Sequence, residues 1–212
     1  NVRIIFAAAP SQTEFLRWLS CAPGIEWGRV TAFQMDEYVG LPKDAPQLLS
    51  KFLDSRLFSI VHPGRVHRIF SWRPVNEECK RYAELISEAP IDIVCMGIGE
   101  NGHIAFNEPH TARFDDPEIV RVVELDDISR TQQVNDGCFE SVDEVPKLAV
   151  TLTVPTLLAA ERIFCIVPGR RKSAALRRVL TGKVSTECPA SILRTHRNCC
   201  LYTDKDAYGV DA

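Results

Sequence analysis

The feature of this sequence that most constrains its fold is an apolar run, residues 91–96, that stops abruptly at a glycine-rich turn. A short apolar run bounded by turn residues is typical of a buried strand. Three glycines fall within the next six residues, at Gly97, Gly99 and Gly102. Glycine allows sharp turns and close approach of the backbone to a ligand, and open α/β sheets bind ligands beyond the carboxyl ends of their strands. The stretch therefore predicts an active-site loop.

Similar apolar runs recur along the chain and alternate with segments of helical periodicity. The predicted strands are residues 2–6, 29–35, 66–70, 91–96, 119–125, 162–167 and 199–203. The predicted helices are residues 11–20, 45–58, 75–88 and 127–134, one that ends at residue 160, and one from residue 169 to 180. Strands that alternate with helices favour an α/β fold, with a mostly parallel sheet and helices on both faces. No repeat or linker interrupts the pattern, so we expect residues 1–212 to form a single domain.

Composition excludes several functional classes. A formal charge of -3 gives no reason to expect nucleic-acid binding. No apolar run approaches the roughly 20 residues of a membrane helix, and the chain opens on a strand pattern rather than a signal peptide. The 8 cysteines lack the two-residue spacing of zinc or redox motifs. We expect them to be buried and reduced, with no metal and no cofactor, which favours a cytoplasmic location.

Asp36 and Glu37 directly follow the second predicted strand. Acidic residues at such a position are commonly solvated turn residues. A carboxylate at the carboxyl end of a strand is also well placed to act as a general base, if burial raises its pKa toward neutrality. Position in the sequence leaves both interpretations open.

His103 has apolar neighbours in the sequence, so a buried structural histidine is one interpretation. Asn107 and Glu108 follow closely, however. A carboxylate bonded to one ring nitrogen fixes the tautomer and leaves the other nitrogen free to move protons, so the cluster favours an acid/base role. The three glycines also match a dinucleotide-binding fingerprint. That motif requires a helix that begins at its last glycine, and the residues that follow predict none.

A basic cluster, Gly169-Arg-Arg-Lys172, lies between a predicted strand and a predicted helix. Cations in a first helical turn oppose the helix dipole, but they are explained if a phosphate binds the free N–H groups there. A solvated basic turn is the alternative. Ser11, after the first strand, is either a second phosphate donor or a helix cap. We expect Arg194 and His196 at the surface or at an interface.

Several stretches resemble the glucosamine-6-phosphate deaminase (isomerase) family, which is related to the 6-phosphogluconolactonases. They are FQMDEYVGLP at residues 33–42, GIGENGHIAFNEP at 97–109, Gly169 to Lys172, and CPASILRTH at 188–196. The matches fall in order along nearly the whole chain, and GHIAFNEP is highly specific and more deaminase-like than lactonase-like. The resemblance implies a modified doubly wound α/β sheet. It also implies a metal-free aldose–ketose isomerisation that deaminates glucosamine 6-phosphate to fructose 6-phosphate and ammonia.

The resemblance also implies roles for individual residues. Asp36 matches the family's general base, which moves a proton between the first two sugar carbons. His103, with its carboxylate partner Glu108, matches the acid/base that opens the sugar ring, and Lys172 matches a phosphate ligand. Further contacts to the sugar phosphate are expected at Ser11, Gln12, Gly99 and Gly102. Members of the family include monomers and hexamers, so a homo-oligomer is possible.

Some residues depart from the family pattern. Asn101, which we count among the catalytic residues, stands where a second aspartate usually touches the histidine, and an uncharged amide holds an imidazolium less well. Residues 8–11 replace the usual phosphate loop, and Gly137 replaces a phosphate-binding arginine. We also expect the family's N-terminal strand and helix to be missing. Galactosamine 6-phosphate as substrate, lactone hydrolysis by a histidine-activated water, and a non-catalytic sugar-phosphate sensor therefore remain alternatives.

Overall fold

The computed structural model describes residues 1–209, which contain nine strands in two sheets. The strands are β1 (Val2–Phe6), β2 (Val30–Gln34), β3 (Asp36–Tyr38), β4 (Arg65–His67), β5 (Ile93–Met96), β6 (Val120–Glu124), β7 (Leu148–Leu152), β8 (Arg162–Val167) and β9 (Cys199–Thr203). The helices are α1 (Thr13–Cys21), α2 (Leu49–Leu53), α3 (Ser59–Val61), α4 (Val75–Ser87), α5 (Asp127–Asn135), α6 (Val154–Leu158), α7 (Ser173–Thr181) and α8 (Lys205–Tyr208). A π-helical segment, Asp54–Phe58, joins α2 to α3. Short 3-10 turns, Pro10–Gln12 and Arg170–Lys172, lead into α1 and α7.

The main sheet has six parallel strands in the order β4-β2-β1-β5-β8-β9. From β1 the chain proceeds outward through β2 and β4, then returns to the opposite side of β1 with β5. The strand order therefore reverses between β1 and β5. A crevice for a ligand forms at the carboxyl ends of the strands at such a reversal. The predicted mostly parallel α/β fold is confirmed.

Each face of the main sheet carries a buried apolar cluster, which explains the nearly continuous apolar character of its central strands. Consecutive side chains of a strand point to opposite faces. Ile5 and Val94 accordingly belong to one buried cluster, and Phe6 and Cys95 belong to the other. The two clusters anchor the strand ends from which the loops of the crevice emerge.

A second, antiparallel sheet with the order β3-β7-β6 lies beyond the carboxyl end of β2. The sequence predicted one sheet, with a turn at Asp36, and did not predict β7 as a strand. In the structure Asp36 pairs with Thr151 and begins β3. The segment is short and polar, and its strand conformation depends on a partner more than a hundred residues away, so local periodicity did not reveal it.

The helix predicted for residues 45–58 begins instead at Leu49 and is interrupted by the π-helical segment. The Glu37 carboxylate sets this start, because it accepts hydrogen bonds from the backbone N–H groups of Leu49 (3.0 Å) and Ser50 (2.9 Å). A distant side chain thus satisfies the free donors of the first turn.

All eight cysteines are unpaired, but the expectation that they are buried is wrong for Cys21 and Cys200, which are exposed. Among the residues described, no helix has the length and apolar character needed to cross a membrane.

Candidate active site

The loops that follow β1, β2, β5 and β8 converge on one cleft at the carboxyl edge of the main sheet. Asp36, His103 and Lys172 all line it. Ser11 and Gly99 also lie in its wall. Segments that are far apart in the sequence therefore meet where the strand order reverses, as the sequence predicted for these residues.

Asp36 lies at the floor of the cleft and is only 6% exposed. Its side chain accepts no hydrogen bond from the residues described, so no donor among them compensates the ionised form. Burial, together with the neighbouring Glu37 carboxyl, raises the pKa of Asp36 from 3.8 to about 8. A carboxyl group with this pKa can both accept and release a proton near neutral pH.

Glu37, the next residue, has a different role because its side chain points away from the cleft. Besides the two N–H groups at the start of α2, its carboxylate accepts the Tyr38 N–H (3.0 Å) and the Gln34 side-chain amide (2.9 Å). Burial raises its pKa, and the four donors oppose that rise. Glu37 fixes the backbone beside Asp36 and ties it to α2.

His103 is held against Glu108, whose carboxylate Oε2 lies 3.4 Å from the ring nitrogen Nδ1. Glu108 is fully buried behind the ring and does not line the cleft itself. Burial on its own would raise the pKa of Glu108, but the nearby His103 and hydrogen bonds to the carboxylate hold it below its usual range. The sequence predicted this pairing, which leaves the second ring nitrogen available to the cleft.

The glycine turn brings the backbone directly against the His103 ring. A Cβ atom added at Gly99 would lie 2.1 Å from the ring carbon Cε1. The Gly99 N–H also donates to the His103 carbonyl at 2.9 Å, which closes the turn. Only glycine leaves room for the imidazole in this arrangement.

Asn101 lies behind the same pair. Its side-chain N–H group donates to Glu108 at 2.5 Å, and its side-chain oxygen accepts the His103 backbone N–H at 3.0 Å. The residue is buried and therefore orients His103 and Glu108 without reaching the cleft.

Lys172 is the cation of the basic cluster that enters the cleft. It is buried at the end of the 3-10 turn that begins α7. Burial lowers its pKa, while Asp136 and Glu100 act in the opposite direction. Arg170 and Arg171 are exposed, so the sequence prediction of a phosphate site at this turn rests on Lys172 and on the backbone N–H groups.

Two predicted contact residues lie outside the cleft wall. Gln12 is buried and its amide donates to the Ile166 carbonyl at 3.1 Å, which joins the first loop to β8. Gly102, with φ +92°, packs against Cys188, where a Cβ atom would come within 2.7 Å of the sulfur. Both residues shape the loops. Ser11 does line the cleft, and α1 has no side-chain cap, so the capping alternative is wrong.

The sequence analysis missed one wall of the cleft, which α5 provides. Gln132 and Gln133 of α5, and Asp136 directly after it, line the cleft. The Gln132 side-chain oxygen accepts the Glu100 N–H at 2.9 Å, so α5 is tied to the turn. The spacing i, i+1, i+4 of three polar residues was the available signal, and it is also typical of an ordinary solvated helix face.

Outside the cleft, Arg194 is exposed and donates to the Leu180 and Gly182 carbonyls, and His196 hydrogen-bonds the Ala160 carbonyl. A larger groove between α1 and the main sheet has an almost wholly apolar lining and offers little for proton transfer. Within residues 1–209 there is no group of three or more His, Cys, Asp or Glu side chains that could hold a metal ion.

The fold and the site together define a class: an α/β protein whose cleft, at the strand-order reversal, combines a buried carboxyl of raised pKa, a histidine backed by a carboxylate and a buried cation. The family model described as glucosamine-6-phosphate isomerases/6-phosphogluconolactonase matches residues 9–202. The chain belongs to this family.

Individual relatives agree with that membership. The chain is 38% identical over 188 residues to a glucosamine-6-phosphate deaminase of Halothermothrix orenii. The aligned region covers 86% of this chain and 76% of that relative. It is 34% identical to a glucosamine-6-phosphate deaminase of Lactobacillus delbrueckii subsp. bulgaricus, over 88% of this chain and 78% of the relative.

Solved structures show the same relationship. A monomeric glucosamine-6-phosphate deaminase superposes with a TM-score of 0.89 at 29% identity, over 99% of this chain and 88% of the other. A 6-phosphogluconolactonase from Thermotoga maritima superposes with a TM-score of 0.76 at 20% identity, over 96% and 85% of the two chains. The second similarity is one of fold alone.

Proposed function

We propose that this protein converts an amino-sugar phosphate, glucosamine 6-phosphate, with water into fructose 6-phosphate and ammonia. The observation that carries the proposal is the buried Asp36 carboxyl, with a pKa of about 8, in the same cleft as His103, which Glu108 backs from outside the cleft. Two proton-transfer groups with different environments are what an aldose–ketose isomerisation requires. The relatives named as deaminases support the choice of substrate.

Each group has a step to perform. Lys172 and the N–H groups at the start of α7 bind the phosphate and thereby place the sugar over the cleft floor. The free ring nitrogen of His103 takes the proton of the hydroxyl on the first carbon and passes it to the ring oxygen, so that the ring opens to the aldehyde. Asp36 then takes the proton from the second carbon and returns it to the first, while one proton of the amino group passes to the oxygen of the first carbon. The resulting ketimine reacts with water, which releases ammonia and leaves the ketose phosphate.

The test is to incubate the protein with glucosamine 6-phosphate and measure ammonia and fructose 6-phosphate. Asp36→Asn should lose both products, because an amide cannot accept the carbon-bound proton. Asp44→Asn, at an exposed position, is the matched control and should retain the activity of the natural protein. Equal activity in Asp36→Asn and Asp44→Asn would reject the proposed mechanism.

Lactone hydrolysis is a second candidate, favoured by the carboxylate-oriented His103, which suffices to activate a water molecule. It predicts turnover of 6-phosphogluconolactone that survives Asp36→Asn.

Galactosamine 6-phosphate should be assayed in parallel. A sugar-phosphate sensor would instead show a rise in melting temperature with ligand and no turnover. Homo-oligomer formation and a cytoplasmic location stay predictions.

A further inference from the structure

The side-chain amide of Asn101 bridges two carboxylates. In addition to Glu108, its Nδ2 donates to Oδ2 of Asp126 at 3.0 Å. A primary amide has two N–H donors, so both are committed to acidic partners. The flipped orientation of this amide is excluded. Its oxygen would then face both carboxylates, and the His103 backbone N–H would lose its acceptor.

Asp126 itself has two separate tasks. It is the N-cap of α5, and its Oδ1 accepts the Ser129 N–H at 2.6 Å. A cap needs one oxygen, and a serine or an asparagine would satisfy the same donor. The second oxygen is directed inward to Asn101, where a helix cap alone does not require it.

The same helical turn reaches Glu108 by a second route. The Ser129 side chain is fully buried, and its hydroxyl helps to lower the pKa of the Glu108 carboxylate, although no hydrogen bond joins the two groups. The helix α5 also supplies the cleft wall with Gln132. Its first turn therefore connects the wall of the cleft to the buried side of the acid/base pair.

We propose that Asp126 is a positioning residue for proton transfer: through the Asn101 amide it holds Glu108 in place behind His103. The site residues described above do not include this carboxylate, which lies outside the cleft wall. The expected effect of Asp126 on turnover rests on the proposed function. The expected effect of Asp126 on the His103 ring does not, because the contacts among Asp126, Asn101 and Glu108 exist without substrate.

The isosteric change Asp126→Asn isolates this role. The new side chain would keep a capping oxygen for Ser129, but its NH₂ group would then face the NH₂ group of Asn101. The amide of Asn101 loses an acceptor and must move or turn, and Glu108 loses its fixed donor. Asp127→Asn is the control, because Asp127 lies in the same turn with a 93% exposed side chain and its change removes the same charge.

The first readout needs no turnover: nitrogen NMR of the His103 ring, which reports the tautomer and the bond at Nδ1. We expect a single Nδ1–H tautomer in the natural protein and in Asp127→Asn, and mixed tautomers in Asp126→Asn. If glucosamine 6-phosphate is turned over, kcat should fall by about tenfold to a hundredfold in Asp126→Asn, as for other supporting contacts. KM should stay within about twofold, because the phosphate contacts are intact.

Asp126→Ser provides a second variant if the asparagine variant does not fold, since serine also caps helices. Unchanged ring signals in a folded Asp126 variant would overturn the proposal. Equal losses of kcat in the Asp126 and Asp127 variants would also overturn the proposal. A tautomer change without any deaminase activity in the natural protein would support the positioning role and reject the proposed reaction, so the two failures are distinguishable.

Discussion

Replacement of Asp36 by asparagine should stabilise the protein increasingly as the pH rises. The pKa of Asp36 increases from 3.8 in the unfolded chain to about 8 in the fold. At about 1.4 kcal/mol for each pH unit, ionisation of this buried group costs on the order of 6 kcal/mol. Asparagine has the shape of the protonated acid and never ionises, so Asp36→Asn avoids this cost.

The sign follows from linkage. Because the folded pKa is raised, the stability associated with protonated Asp36 is complete below pH 3.8 and is lost as the pH rises through about 8. Between pH 5 and pH 7 the free energy of unfolding of Asp36→Asn should therefore gain about 3 kcal/mol relative to the natural protein. The difference should level off above pH 8.

Urea unfolding at pH 5, 6, 7 and 8 measures this difference, provided that the m-values agree. Asp44→Asn changes the formal charge equally at an exposed site and should differ by at most about 0.5 kcal/mol at every pH. A constant difference between Asp36→Asn and the natural protein across this range would show that the carboxyl is not desolvated. The reasoning that makes Asp36 a base for neutral pH would then be wrong.

Three further predictions concern turnover of glucosamine 6-phosphate. The value of kcat/KM should rise about tenfold per pH unit up to about pH 8, as Asp36 ionises, and a pH-independent rate would contradict this. Lys172→Met should raise KM by about tenfold to a hundredfold through loss of a charged hydrogen bond of about 1.5–3 kcal/mol, whereas the exposed Arg170→Met should not. Gly99→Ala, which displaces the His103 ring, should lower kcat by about a hundredfold. Gly28→Ala, with open space around it, is its control and should match the natural protein.

The parts of the fold that could be predicted from sequence are those in which local apolar patterning and burial agree. The strand Arg162–Val167 has the predicted bounds, because its alternate residues are buried in the main sheet. The antiparallel sheet could not be predicted in this way. Its strand Asp36–Tyr38 consists of two acids and a tyrosine, and pairing with β7, rather than its own pattern, makes it a strand.

The candidate site shows a similar limit. Asp36, His103 and Lys172 each follow a strand of one parallel sheet, so their convergence could be anticipated from strand direction. The hydrogen bond that the second Asp126 oxygen accepts from Asn101 could not be anticipated in this way. Asp126 is the N-cap of α5, and an aspartate at that position is common enough to draw no attention in sequence. Its second contact, to Asn101, depends on how α5 packs against the glycine turn.

The Asn101–Asp126 contact also makes a prediction about charge. In Asn101→Asp an oxygen would replace the nitrogen that now lies 2.5 Å from Glu108 and 3.0 Å from Asp126. Two hydrogen bonds would become two contacts between acids in a buried site. We expect the free energy of unfolding to fall by about 3–5 kcal/mol at pH 7, as when a buried charge loses its partner.

The double variant Asn101→Asp with Asp126→Asn tests whether this loss is electrostatic. The amide introduced at position 126 would donate an N–H to the carboxylate introduced at position 101. The hydrogen bond therefore returns with its polarity reversed, while the contact with Glu108 stays unfavourable. The double variant should be more stable than Asn101→Asp by about 1–3 kcal/mol, although Asp126→Asn alone is destabilising. Additive losses in urea unfolding would show that the two side chains do not interact. The deficit of Asn101→Asp should also shrink as the pH is lowered, because protonation of the acids removes their repulsion.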